Sequence, residues 1–354
     1  MEVLIEKWFN KKISSERIEK YCQQLRVVRR RLSEDIDSKN VRVSCVQRQI
    51  HLVNSIERYI DMLCSFIDQA AKEDSHLIVF PEYNFFDLFG LIPGFNLLNQ
   101  TLNKKAMKVK NRNDESHLKG SNHLLTTLFK GVAKPIEGGI KRIFSFLAKE
   151  YGIYIYTGSY ILKEKEGIYN VGSLFGPEGN LIGTQKKIHL TDFEVKLGTK
   201  RANNMEVYSL PFSKVVCPIC MDATYFETFR IAREIGADIV ILPIANLEEY
   251  NLWKALRGIW PRVQESYLYG LKSSLNGWIF GMHFTGKASI FAPWSMTPNK
   301  DGVVSLSPHY EGDSLVTGEI DIKKLYKERE KAEYHEDKNV EFEEKYVEKT
   351  YNII

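Results

Sequence analysis

The sequence predicts an α/β protein, a layered sandwich built on a mixed sheet. Three observations carry that reading. Short continuous apolar runs, Leu77–Phe80 (LIVF) and Asp238–Leu242, suit strands covered on both sides. Other stretches repeat apolar residues at three- and four-residue steps, as in Ile56, Ile60, Leu63, Ile67 and Ala70, which suits a helix with one buried face. Strands alternate with helices in places, whereas Gly176-Pro177-Glu178-Gly179-Asn180 joins two strands by a tight turn, because Pro sets φ and Gly supplies φ > 0.

The elements follow in order. Residues 1–40 read as a charged helical extension, with Arg29-Arg30-Arg31 as a solvated helix face. Val41–Gln47 (VRVSCVQ) is a β-branched strand, 53–72 a helix, and Leu77–Phe80 a strand stopped by Pro81. Residues 91–140 hold Asn, Lys, Gly and Ser, with Lys104, Lys105, Lys108, Lys110 and Arg112 close together. They read as a long insertion with room for short helices, of the kind that forms lids or binding loops. A helix at 140–150 leads into strands at 153–158, 170–175 and 181–188. Val215–Ile219 is a strand, Thr224–Ile235 a helix and Asp238–Leu242 a strand. A helix is expected at 250–271, then strands near 278–284, 287–292 and 314–320. The main domain therefore runs over 41–325, and 326–354 is a charged tail, read as a surface helix or a swapped arm.

Composition narrows the function. The chain has 354 residues, 44% hydrophobic and 27% charged, which is globular and rules out wholesale disorder. The net charge of +4 is too small for a nucleic-acid footprint. No run reaches the roughly 18 apolar residues of a membrane span, and no signal peptide is expected at the N-terminus. The five cysteines are odd in number and irregular in spacing, which argues for a reducing, cytoplasmic compartment rather than a disulfide framework.

Three residues stand out for chemistry. Glu82 follows a buried strand, where α/β proteins gather their ligand sites; desolvation there would raise its pKa and make it a usable base. Alone, it better fits a helix-capping or salt-bridged Glu. Lys187 ends a strand beside Lys186, so the two point to opposite faces and one can enter a site; two exposed edge lysines fit the same pattern. Cys220 lies at a strand-to-helix turn, where a thiol meets substrate and backbone N–H groups can bind an oxyanion. A buried structural Cys is the plainer alternative. The pair Cys217-Pro218-Ile219-Cys220 has the CxxC form of a redox pair or half a zinc site, but no second CxxC or HxxxH accompanies it, and Cys217 falls inside a strand. His189 is a conceivable base for Cys220, although a structural His fits it better.

Taken together, these segments resemble the carbon–nitrogen hydrolase (nitrilase) superfamily. The resemblance rests on Phe80-Pro81-Glu82, on Lys187 to Leu190 (K-x-H-L) and on Cys220-Met221-Asp222, in that order. It is reinforced by VRVSCVQ, GPEGNLIGTQKKIHL, REIGADIVILP (233–243) and RVQESYLYGLKSSLNG (262–277), and covers about 41–321. It departs from the family pattern at Tyr225-Phe226-Glu227-Thr228, which lacks a proline, and at Gly286–Pro293 (GKASIFAP), a loose match to the usual G-x-S strand.

The resemblance implies an αββα four-layer sandwich, pairing as a homodimer or higher homo-oligomer. It implies a catalytic triad of Glu82, Lys187 and Cys220, with the backbone N–H of Met221 helping at the oxyanion, and no metal or organic cofactor. It implies a second, substrate-positioning glutamate, for which Glu194 is preferred over Glu206. Asn246, Tyr250 and Trp253, after the strand at 238–242, are candidates to line the pocket. Met221-Asp222 resembles the amidase and carbamoylase branches. The expected activity is a thiol amidohydrolase acting on a small linear amide; an N-carbamoyl hydrolase, a nitrilase or a non-catalytic binding protein of the same fold are the alternatives.

Overall fold

The computed structural model describes residues 1–25, 27, 36–108, 122–255, 258–332 and 339–352. The arginine run at 29–31, Lys110 and Arg112 lie outside the described residues. Two N-terminal helices, α1 (Glu2–Lys12) and α2 (Ser15–Cys22), precede β1 (Val41–Gln49), α3 (Ile56–Lys72) and β2 (Leu77–Val79). Then come α4 (Phe95–Met107), α5 (Asn122–Tyr151), β3 (Tyr154–Lys163), β4 (Ile168–Phe175), β5 (Leu181–Lys186) and α6 (Asp192–Lys196). The second half holds β6 (Tyr208–Leu210), β7 (Ser213–Val216), α7 (Phe226–Glu234), β8 (Ile239–Ile244), α8 (Leu252–Ala255), α9 (Ile259–Ser266) and β9 (Tyr269–Ile279). It closes with β10 (Met282–Phe284), β11 (Ser289–Phe291), β12 (Val303–Leu306), β13 (Ser314–Ile320), α10 (Ile322–Lys331) and α11 (Val340–Asn352).

The strands run in the order β5-β4-β3-β2-β1-β9-β8-β7-β6. β1, β2 and β3 are parallel, as are β7, β8 and β9. The two halves meet where β1 pairs with β9, only over Gln47–Gln49. Side-chain alternation then divides the core into three layers. Val43, Cys45, Leu77 and Val79 of one half face Val215, Ile239, Ile241 and Leu271 of the other. The opposite face of the first half, with Val46 and Ile78, packs on α3 and α5. The opposite face of the second, with Val240, Leu242 and Ile244, packs on Phe229, Ile259 and Val263 of α7 and α9. The result is helix, sheet, sheet, helix: the αββα sandwich.

Several boundaries differ from the sequence reading. Residues 122–140, read as insertion, form the first two thirds of the long helix α5, whose Leu128, Val132, Ile136, Ile140, Ile143 and Leu147 make one buried stripe. Pro135, Gly131, Gly138 and Gly139 disguised it as loop. Two of those glycines have a packing reason: a Cβ on Gly131 would lie 2.9 Å from Ile5, and one on Gly139 would lie 2.4 Å from Ile13, so the N-terminal helices cross α5 at close range. The helix expected at 250–271 is also corrected. It divides into α8 and α9, ends where Tyr267 turns left-handed (φ 49°), and yields to β9 at Tyr269. Tyr269 to Ile279 is buried on both faces and so shows no period-2 alternation, which let the expected helix run on to residue 271. The strand near 278–284 is consequently the end of β9 plus β10, and β12 was not anticipated. No helix among the described residues is long and apolar enough to cross a membrane.

Candidate active site

Three segments converge at the carboxyl ends of β2, β5 and β7, where ligand sites form in α/β sheets. Glu82 is delivered by Pro81 just past β2. Gly158 makes that possible: its φ is +70°, and a Cβ there would lie 1.9 Å from the Pro81 carbonyl oxygen. The next residue, Tyr83, is itself left-handed (φ 52°), and Ser159 pins it by accepting the Tyr83 N–H at 3.0 Å. Arg48 of β1 supports the loop from below, donating to the Asn84 carbonyl at 3.0 Å and contacting Asp87 at 2.5 Å, with both side chains fully buried.

The two lysines at the end of β5 diverge. Lys186 is half-buried and pairs with Glu164 at 2.7 Å. Lys187 is buried, its Nζ 2.7 Å from Glu82 Oε1 and 2.8 Å from Glu194 Oε2. Glu194 enters because Thr191 caps α6 in a capping box, which turns the carboxylate inward. Its oxygens accept from Tyr83 Oη at 2.7 Å, Thr191 N at 2.9 Å and Asn170 Nδ2 at 2.9 Å. Asn170 Nδ2 is also 2.9 Å from Glu82 Oε1. Glu206 is exposed and lies outside this cluster, beside Asn204.

Cys220 sits at a left-handed turn (φ 48°) that a non-glycine residue adopts only when its surroundings fix it. Asp222 does the fixing. Its buried carboxylate accepts from Ile219 N at 2.8 Å and from His189 N at 2.6 Å, tying the Cys220 turn to the loop that carries Lys187. His189 is thereby engaged, its Nδ1 3.2 Å from Asp222 and its ring stacked on Tyr225. Cys217, by contrast, is buried between the two sheets, and both thiols are free.

Electrostatics separate the four groups. One ammonium faces two carboxylates in a site closed to water. Burial works against the Lys187 charge, but the facing carboxylates outweigh it and raise its pKa well above the ordinary lysine value. Burial also opposes the Glu194 charge, yet Lys187 and the surrounding donors hold Glu194 below the usual carboxylate range. Glu82 goes the other way: burial, with the Glu194 charge added, outweighs Lys187 and raises it. Burial and the Glu82 charge likewise push the Cys220 thiol well up, against the pull of Lys187. Two carboxylates with divergent pKa values are the arrangement from which acid and base roles are read.

Cys220 opens onto a pocket of about 690 Å³, counted with its solvent-open mouth. Its wall includes Thr224, Leu242, Ile244, Asn246, Tyr250, Lys272 and Lys287. Glu82, Lys187 and Glu194 are not on that wall; they lie buried in their own cluster. Of the pocket candidates, Asn246 and Tyr250 line it, Asn246 Oδ1 lying 3.7 Å from Cys220 Sγ. Trp253 does not line it and is 77% exposed. Sequence reasoning missed Tyr83, Asn170, Asp222 and Lys272 as site residues. An amide inside β4 and an ammonium inside β9, in strands that are otherwise uncharged, were the available signals for Asn170 and Lys272.

The model of the carbon-nitrogen hydrolase family matches residues 42–326. The chain belongs to that family, and its fold is shared by solved amidases of the nitrilase superfamily. Among curated proteins it is 23% identical over 299 residues to the probable hydrolase YhcX of Bacillus subtilis, covering 82% of this chain and 52% of that protein. The chain thus spans about half the length of that relative. It is 28% identical over 218 residues to the omega-amidase NIT2 of Danio rerio, covering 56% of this chain and 73% of that one. Among solved structures, the carbon-nitrogen hydrolase of Helicobacter pylori G27 superposes with a TM-score of 0.62 at 18% identity, covering 86% of this chain and 97% of that one. A mutant of the amidase from Nesterenkonia sp. AN1, which carries the acetamide moiety of fluoroacetamide on its active-site cysteine, gives 0.59 at 15% identity, covering 89% and 100%.

Proposed function

We propose that this chain is a thiol amidohydrolase, cleaving the C–N bond of a small linear amide through an acyl-enzyme on Cys220. One observation carries the reading: a half-buried thiol opens into a pocket and is coupled to a buried ammonium shared by two carboxylates, one of them raised. The resting thiol is protonated, so attack needs a base, and Glu82 is the carboxylate whose pKa suits the task.

The steps follow. Cys220 Sγ attacks the amide carbonyl as its proton passes to Glu82, forming the C–S bond and an oxyanion. Lys187 and the Met221 backbone N–H stabilise that charge. Glu82 returns the proton to the nitrogen, the C–N bond breaks and the amine leaves. Water then attacks the thioester, giving its proton to Glu82; the acid departs and the thiol is restored. Glu194 keeps Lys187 in place and charged, and it is also our choice for the glutamate that orients the substrate.

The test is ammonia release from a panel of small amides, ureido acids and nitriles, with intact mass recorded. Turnover and an acyl adduct that both vanish in Cys220→Ala support the reading, and the best substrate fixes the branch. A folded protein with an unreactive Cys220, no turnover and no adduct on any member would favour a binding protein instead.

A further inference from the structure

We propose that Asn170 is a positioning residue: its side-chain amide occupies Oε1 of Glu82 and so directs the proton leaving Cys220 to Oε2. The proposal rests on the amidase reading and names the residue that aims its base.

Asn170 lies inside β4, fully buried, opposite Ile161 of β3. It holds three of the site's charged residues at once. Its backbone carbonyl accepts the Lys187 N–H at 2.8 Å. Its Nδ2 donates to Glu82 Oε1 and to Glu194 Oε1, each at 2.9 Å. Both amide hydrogens are thereby engaged, one on each carboxylate. Turning the amide over would set Oδ1 against two carboxylate oxygens, so the hydrogen bonds fix its orientation. The penalty falls on Oδ1, which is buried without a hydrogen-bond partner. A strand interior that served packing alone has no need of an orphaned amide oxygen.

The two carboxylates are held differently. Glu194 is filled on both sides: Oε1 accepts from Tyr83 Oη and Asn170, and Oε2 from Thr191 N, Thr191 Oγ1 and Lys187 Nζ. Glu82 is filled on one side. Its Oε1 accepts Lys187 Nζ at 2.7 Å as well as Asn170. An ionised carboxylate offers about two acceptor positions per oxygen, so Oε1 is saturated. Oε2 is then the oxygen open to a proton, and the Cys220 thiol interacts with this same carboxylate. The titratable groups facing Glu82 are Lys187, Glu194, Cys220 and Tyr83. Asn170 adds a donor to this set without adding a charge.

Infrared titration reads Glu82 directly. Spectra of wild type and Asn170→Ala are recorded across pH, each minus the same protein carrying Glu82→Gln. A donor favours the ionised carboxylate, so its loss should move the Glu82 midpoint up by about one pH unit. The carbonyl stretch of protonated Glu82 should also move to higher wavenumber. With the proton on Oε2, the carbonyl oxygen is Oε1, the atom that Asn170 binds. Asn170→Thr keeps one hydroxyl and guards against an Ala variant that does not fold; it should shift both signals the same way by less. With the best amide, kcat of Asn170→Ala should fall roughly 10–100-fold and KM stay within about threefold. The acid limb of its pH profile should follow the infrared midpoint. An unmoved midpoint overturns the proposal. An unmoved carbonyl stretch places the proton on Oε1 and overturns it too, as does a loss of activity that tracks only the folded fraction. Both infrared shifts in a protein whose wild type releases no ammonia and forms no adduct would defeat the amidase reading alone. Turnover beside unmoved infrared signals would defeat only the Asn170 assignment.

Discussion

Two buried ion clusters stand side by side at the ends of the first half-sheet, and they are built for different ends. Arg48 and Asp87 make a one-to-one pair, and their other hydrogen bonds run to neutral groups, the Asn84 carbonyl, the His51 N–H and the Met62 sulfur. Such a pair is balanced and holds the loop from Glu82 to Leu91 in place. The Lys187 cluster has one ammonium for two carboxylates. It cannot balance, so one carboxylate is held below its usual range and the other is raised. The lesson is that burial alone does not make an ion cluster reactive; an excess charge does, because it leaves a group whose proton is easily moved.

Substitutions that disturb each balance should sharpen the contrast. Asp87→Asn leaves Arg48 buried and unpaired and should cost about 3–5 kcal/mol in denaturant unfolding, the usual cost of orphaning a buried charge. Any residual folded enzyme should keep its pH profile. Glu82→Gln should do the reverse, changing stability at neutral pH by no more than about 1 kcal/mol, since Lys187 and Glu194 then balance, while lowering kcat by about 10²–10⁴. The pH dependence of the two carboxylates has opposite signs. Glu194, held low, contributes stability that is present above 4.5 and lost as pH falls through its folded value. Glu82, raised, contributes stability that is present below 4.5 and lost as pH rises through its folded value. Thermal melts from pH 4 to 8 should therefore show Glu82→Gln gaining on wild type as pH rises. The smallest effect should come from Thr191→Ala, which removes a helix cap and one hydrogen bond to Glu194, at about 0.5–2 kcal/mol.

The same contrast explains what was legible in the sequence. The strand-ending motifs at Glu82, Lys187 and Cys220 lie where chain order and turn chemistry can be read locally, and they fall within one site. A layered α/β sandwich followed from the continuous apolar runs of β2 and β8, and its αββα order from the family resemblance. What sequence could not supply is who meets whom. Glu194 joins Lys187 through a capping box on a five-residue helix, and Arg48 meets Asp87 across 39 residues of chain. The long helix α5 was hidden by glycines whose purpose is contact with α1 and α2. The first three residues of β9 read as helix because burial on both faces erases the strand's period.

The most direct test of the unbalanced cluster is the rate of Cys220 alkylation by iodoacetamide across pH, in wild type and Glu82→Gln, beside ammonia release from the best amide. The account predicts opposite changes. Removing the Glu82 charge leaves Lys187 nearer dominance, so the alkylation curve of Glu82→Gln should shift to lower pH while turnover collapses. An unshifted or upward-shifted curve, or turnover that survives Glu82→Gln, would contradict the account.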